Sequence, residues 1–164
     1  ASYAFACKRL FQSNSSNVLI RRFSRAAAFT CVGSSLFLSS SLCDQVRPSL
    51  VSRILDIAYS GTDHYGSISE DEEDAVNATG GHWAYGEVSR EGVHALLHRM
   101  DIGPDSVFYD FGSGLGKVVA QALLESEAKK VVGIEMAKTR HIQGWQACER
   151  LGRLLELVGD VKPA

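Results

Sequence analysis

The hydrophobic positions change period along the chain, and each change marks an element. After Pro48, Leu50, Val51, Ile54, Leu55 and Ala58 fall on one helical face, and Gly61 stands where a C-cap belongs. From Thr62 to Gly81 the periodicity vanishes, and the acidic run Glu70 to Asp74 inside that stretch reads as a solvated loop. Ser89 is an N-cap for a second helix, in which Val93, Leu96, Leu97 and Met100 recur at i, i+3, i+4 and i+7. Gly103-Pro104-Asp105 breaks it.

The period then shortens. Ser106 to Phe111 reads as a buried strand, followed by the glycine-rich turn Gly112-Ser113-Gly114-Leu115-Gly116. Lys117 to Glu127 returns to helical spacing with Val118, Val119, Ala122 and Leu123 inward. Lys130 to Glu135 is a second strand, and Thr139 to Leu151 a helix with Ile142, Trp145 and Cys148 inward. Leu154 to Val158, before Gly159-Asp160, reads as a short third strand. Strand, helix, strand, helix, strand predicts an α/β fold that begins a parallel doubly wound sheet.

Composition alters this picture at the front of the chain. The 164 residues carry 17 basic and 19 acidic side chains, a net charge of -2, but residues 1–43 contain no Asp or Glu. Lys8, Arg9, Arg21, Arg22 and Arg25 lie there among many serines, the composition of an organelle transit peptide. A disordered basic tail is the plainer reading of the same residues. The uncharged run Ala26 to Leu42 begins like a secretory core, but its serines and its length argue against a membrane span. The division expected is therefore 1–43 as a disordered leader, 44–82 as helix and acidic loop, and 83–164 as the chemical part. Import into a mitochondrion or another organelle follows from the leader. The remainder, with 12 basic and 19 acidic residues, shows no direct nucleic-acid site.

Metal chemistry finds little support. Three of the four cysteines (Cys7, Cys31, Cys43) lie in the leader, leaving Cys148 alone in the body. His94 and His98 share a helix face at i, i+4, but no Glu follows His94 in the metalloprotease manner. Asn77-Ala78-Thr79 matches a glycosylation sequon, a motif common by chance.

The glycine turn carries the chemistry. Such a turn between strand and helix lets a ligand approach backbone N–H groups at a helix N-terminus. The nucleoside triphosphate loop GxxxxGK[ST] does not fit, because Gly112 to Gly116-Lys117 is one residue short and Val118 replaces the metal-binding hydroxyl. The dinucleotide pattern GxGxxG does not fit either, because the third glycine comes one position early. Asp-x-Gly-x-Gly-x-Gly does fit, with Asp110 two residues before Gly112 and an acid, Glu135, ending the next strand.

Asp110 to Lys117 followed by Val132-Gly133-Ile134-Glu135 resembles the cofactor motifs of class I S-adenosylmethionine-dependent methyltransferases. With Tyr85-Gly86-Glu87-Val88-Ser89 upstream, the stretch from Trp83 to Leu151 is similar to the Dot-one-like family (disruptor of telomeric silencing), histone lysine methyltransferases without a SET domain. Val88 stands where that family has Thr, and Lys117 where it has Gln. The resemblance implies a Rossmann-like class I methyltransferase core, here truncated after about three strands, and S-adenosyl-L-methionine as cofactor. It implies that Gly112, Ser113, Gly114, Gly116 and Lys117 lie at the methionyl half and that Asp110 orients the ligand. It implies further that Glu135 accepts from the ribose hydroxyls, that Tyr85, Gly86 and Glu87 form a lid, and that Asp160 accepts from the adenine amino group. No catalytic residue is assigned, since the family's catalytic motifs follow the third strand and the chain reads as part of a longer product; a non-catalytic cofactor-binding fragment is the alternative to an enzyme. The expected partner is a protein substrate, a histone or an organellar protein, and the family places it in the nucleus as the alternative to an organelle.

Overall fold

A computed structural model describes residues 2–8 and 50–159. Most of the expected leader, Asp44 to Ser49, and Asp160 therefore lie outside the described residues. The elements in chain order are β1 (Tyr3–Lys8), α1 (residues 50–58), α2 (Glu70–Asn77), α3 (Arg90–Arg99), β2 (Val107–Phe111), α4 (Lys117–Glu125), β3 (Lys130–Glu135) and α5 (Lys138–Gly159).

The predicted strand–helix–strand unit is present. β2 and β3 pair in parallel, Val107 opposite Lys130 and Phe111 opposite Ile134, with α4 as the crossover. Among the described residues, five helices and a three-stranded sheet of order β1-β3-β2 form a mixed α/β structure. The third strand is not the expected one. Tyr3–Lys8, assigned above to a disordered leader, pairs antiparallel with β3, Tyr3 opposite Glu135 and Lys8 opposite Lys130. It takes the edge where the next parallel strand of a doubly wound sheet would stand. The sheet is thus mixed, not wholly parallel.

Leu154 to Val158 is helical and belongs to α5. The reason lies in the packing. Ala147 and Leu151 are fully buried with Val51, Leu55, Ala58 and Tyr59 of the α1 region, and Leu154 and Leu155 pack on that cluster. Their i, i+3, i+4 spacing continues one helical face past Gly152, which has open space beside it and does not stop the helix. The adenine role given to Asp160 loses the strand that was to carry it.

Two other expectations change. The acidic run is helix α2, because the Ser69 hydroxyl accepts from Glu72 N–H and four acids occupy the first turn, favourable to the helix dipole. The inward face of α5 is Gly144, Ala147 and Leu151, while Ile142 and Trp145 are 41% and 45% exposed. A Cβ at Gly144 would lie 2.9 Å from the Leu115 carbonyl oxygen, so small residues permit this contact and the bulky ones turn outward. Half of β2 is exposed as well. Phe108 is buried against Val93, Leu97, Val119 and Val131, while Tyr109 and Phe111 stack together on the other side, with centroids 6.1 Å apart.

If α5 is continuous through its middle, Gly152→Ala should raise unfolding free energy by about 0.5–1 kcal/mol, read from urea denaturation. A loss of stability would contradict the helix.

Candidate functional site: a glycine loop closed by side chains

The loop between β2 and α4 turns on three glycines with positive φ: Gly112 at 78°, Gly114 at 52° and Gly116 at 74°. Side chains are strained in that region of backbone space, which accounts for the glycine spacing. Leu115, between the second and third, is fully buried and points the loop into the core. Tyr59 donates its hydroxyl to the Leu115 carbonyl at 3.0 Å. The N–H groups of Gly112 and Ser113 both donate to Ile134 O, at 2.8 and 3.0 Å, which stitches the loop to β3.

Glu135 joins three elements. It is 6% exposed, and one carboxylate oxygen accepts from Gly114 N–H at 2.7 Å. The other accepts from Met136 N–H and Ala137 N–H, both at 2.9 Å, at the entrance to α5. An ionised carboxylate offers about four acceptor positions, so three donors leave one. The Glu72 carboxylate takes a further donor of that helix end, Thr139 N–H, at 2.8 Å.

Asp110 lies on β2 opposite Gly133. Burial, and after it the charge of Glu135, pushes its carboxyl above the usual carboxylate range.

The segment Tyr85-Gly86-Glu87 lies over the loop. A Cβ at Gly114 would collide with Tyr85 Cε2, and one at Gly66 would stand 2.8 Å from the same ring. Tyr85 is therefore held between two glycines, with the Arg140 guanidinium 5.0 Å from its ring centroid. Arg140 is 5% exposed and donates Nε–H to Gly66 O at 2.7 Å. Burial, and then the hydrogen bond that its hydroxyl donates to Glu87, raises the Tyr85 pKa well above that of a free phenol. Glu87 in turn pairs with Lys117 Nζ, at 2.7 and 2.8 Å to its two oxygens.

The structure thus brings together Tyr85, Glu87, Gly114, Lys117 and Glu135, with Asp110 inside the field of Glu135. Gly86, between Tyr85 and Glu87, is exposed, and a Cβ there would meet nothing within 4 Å. Sequence reasoning missed Tyr59, Gly66 and Arg140. Gly66 and Arg140 lie outside the motif's spacing, and Tyr59 follows the last helical residue of α1.

The residues fit an adenosylated amino acid. No side chain caps the N-terminus of α4, whereas Ser69 and Ser89 cap α2 and α3. The Ser113 hydroxyl is buried without a hydrogen-bond partner, and nothing stands within 4 Å of the place a Cβ would take at Gly112. A helix N-terminus without a side-chain cap, beside a carboxylate and a free hydroxyl, complements the carboxylate and hydroxyls of such a ligand. Two cavities open nearby, neither lined by residues 112–116. One of about 520 Å³ lies at the end of β3, lined by Glu72, Val76, Met136, Ala137 and Thr139. The other, of about 330 Å³, lies among Leu55, Tyr59, Glu87, Val93 and Lys117.

The family model described as histone methylation protein DOT1 matches residues 73–160, more than half of the chain. The chain belongs to the DOT1 family. It is similar to proteins named histone-lysine N-methyltransferase, H3 lysine-79 specific, from several organisms. The relative from Caenorhabditis elegans is 39% identical over 54 residues, 33% of this chain and 6% of that protein. The one from Cryptococcus neoformans is 31% identical over 90 residues, 55% of this chain and 14% of that protein. The one from Drosophila melanogaster is 40% identical over 55 residues, 34% of this chain and 3% of that protein. The chain thus spans a small part of these relatives' length. No solved structure matches it significantly. The DOT1 match covers Tyr85, Glu87, Asp110, the glycine loop, Lys117, Glu135 and Arg140, while Leu55, Tyr59, Gly66 and Glu72 precede it.

Two outcomes test this geometry. Glu135→Gln sets an amide N–H₂ against a backbone N–H and should cost about 1–3 kcal/mol of stability, measured by urea denaturation. Asp110 has a folded-state pKa raised above its unfolded value, so its contribution is most favourable below about pH 3.9 and is lost as pH rises through the folded pKa. Asp110→Asn removes that loss. Its stability advantage over wild type should grow between pH 3.5 and 7, and a gap independent of pH would refute the assignment.

Proposed function

We propose that this chain is the cofactor-binding part of an S-adenosyl-L-methionine-dependent histone lysine methyltransferase of the DOT1 family. The observation that carries the reading is the glycine loop tied by Gly114 N–H to a buried acid at the end of the adjacent parallel strand. Family membership supports the methyl acceptor, because the relatives' names specify lysine 79 of histone H3.

The cofactor supplies an activated methyl group on a sulfonium, open to in-line displacement by an amine. The loop backbone from Gly112 to Gly116 would receive its amino-acid end, with Ser113 Oγ available as a further polar group. Glu135 would use its remaining acceptor position for a ribose hydroxyl, and Asp110 would orient the ligand through a hydrogen bond. Tyr85, Gly86 and Glu87 would cover the site and exclude water, and Lys117 would place a cation beside its mouth. Positioning of this kind is the larger part of catalysis when donor and acceptor are both bound. A lysine acceptor has one more requirement. Its amine, with a free pKa of about 10.4, must shed a proton, and a desolvated channel favours the neutral form.

A histone acceptor places the protein in the nucleus. An organellar protein acceptor is the competing reading; it rests on the composition of residues 1–43, of which 1 and 9–43 lie outside the described residues. Among the described residues no helix is long and apolar enough to cross a membrane.

Titration calorimetry of the complete gene product with S-adenosylmethionine should show binding, and Glu135→Ala should weaken it by about 1–3 kcal/mol. Methyl transfer from labelled cofactor should then appear on H3 in nucleosomes. No heat from folded wild-type protein defeats the cofactor assignment. Heat without label on H3 removes the histone, and label confined to an organellar extract selects the competing acceptor.

A further inference from the structure

Residues 81–88 form neither helix nor strand, and among the described residues they make no backbone–backbone hydrogen bond. Side chains alone must hold this segment over the glycine loop. Two of them do so. Tyr85 inserts its ring between Gly66 and Gly114, and Glu87 receives Lys117 Nζ on both carboxylate oxygens, at 2.7 and 2.8 Å. The two anchors are joined, because the Tyr85 hydroxyl donates to Glu87 Oε1, the oxygen that Lys117 approaches at 2.7 Å.

Lys117 is the first residue of α4, directly after Gly116, so the loop itself sets its place. Its ammonium lies 5.9 Å from the centroid of the Tyr59 ring, and the Tyr59 hydroxyl binds Leu115 O. The cation therefore rests on a side chain fixed to the same loop.

We propose that Lys117 is a positioning residue: through Glu87 and Tyr85 it latches the 81–88 segment onto the glycine loop and so sets the affinity for the cofactor. This rests on the reading of the loop as a cofactor site. The pair has a second consequence. Glu87 neutralises Lys117, so no unpaired ammonium faces a ligand that carries a sulfonium cation. A neutral side chain at position 117 leaves Glu87 with the Tyr85 hydroxyl but without its cation, and the segment loses its charged anchor. The lysine side chain is 26% exposed and that of Glu87 34%, so the coupling belongs to the modest range of partly screened pairs.

Limited chymotrypsin digestion of the full-length protein, free of cofactor, tests the latch directly, because Trp83 and Tyr85 lie within the segment. Lys117→Gln and Glu87→Gln should each speed cleavage within 81–88 about two- to fivefold and leave global stability in urea nearly unchanged. The exchanged pair Lys117→Glu with Glu87→Lys should bring the rate back towards wild type. The dissociation constant for S-adenosylmethionine should rise by a similar factor in each single variant and no further in the Lys117→Gln, Glu87→Gln double variant. Unchanged cleavage, or a charge-exchanged pair as fast as the singles, overturns the latch. Additive losses of affinity overturn it too, in favour of direct contact between Lys117 and the ligand. If wild type gives no heat with the cofactor, the reading of the site fails, and the cleavage rates alone decide whether Lys117 holds the segment.

Discussion

The carboxylate of Glu135 holds together what the rest of the molecule depends on. Gly114 N–H reaches it from the glycine loop, and Met136 and Ala137 N–H reach it from the start of α5. The end of β3, the loop above it and the helix after it therefore share one buried anion. A charge so placed is tolerable only while its oxygens are occupied by donors, and backbone amides meet that need without ordering any flexible side chain. The same arrangement puts an acceptor and the uncapped N-terminus of α4 beside one another, as a ligand with both polar ends requires.

Around this point the loop is pinned from below and covered from above. Leu115 anchors it in a core formed by α1, α4 and α5, and Gly144 lets α5 approach within contact of its backbone. Tyr85 covers Gly114 from the other side, backed by Arg140. The glycines thus serve two ends. Gly112, Gly114 and Gly116 make the turn, whereas Gly66 and Gly144 give room for a ring and a backbone. The helix at residues 50–58, which seemed separate from the site in the chain, supplies Val51, Leu55 and Ala58 to the core beneath it, and Tyr59 just beyond it holds the Leu115 carbonyl.

Much of this was legible in the amino-acid order. Period and glycine spacing located β2, the loop, α4 and β3, because a strand–turn–helix unit is formed by neighbours in sequence. Asp110 and Glu135 stood out for the same reason, since strand ends are set by where the apolar runs stop. The errors arose where distant packing decided. Leu154 to Val158 looked like a strand because a short apolar run is ambiguous by itself, and it is helical because Leu151, Leu154 and Leu155 share the face that meets α1. Ile142 and Trp145 were expected inside from the helical spacing of apolar residues, yet the small residues Gly144 and Ala147 occupy that place.

The sequence by itself determined the unit at the centre of the candidate site: a turn that favours glycine, set between a strand and a helix, with an acid at the end of the next strand. That unit is local, and its chemistry depends on residue type and spacing. Only the tertiary structure decided which side chains enclose it. The seat of Tyr85 between Gly66 and Gly114, the pairing of Lys117 with Glu87 and the edge position of Tyr3–Lys8 join residues far apart in the chain. Such contacts follow from how elements pack and from where charge finds a partner, and no periodicity along the chain records them.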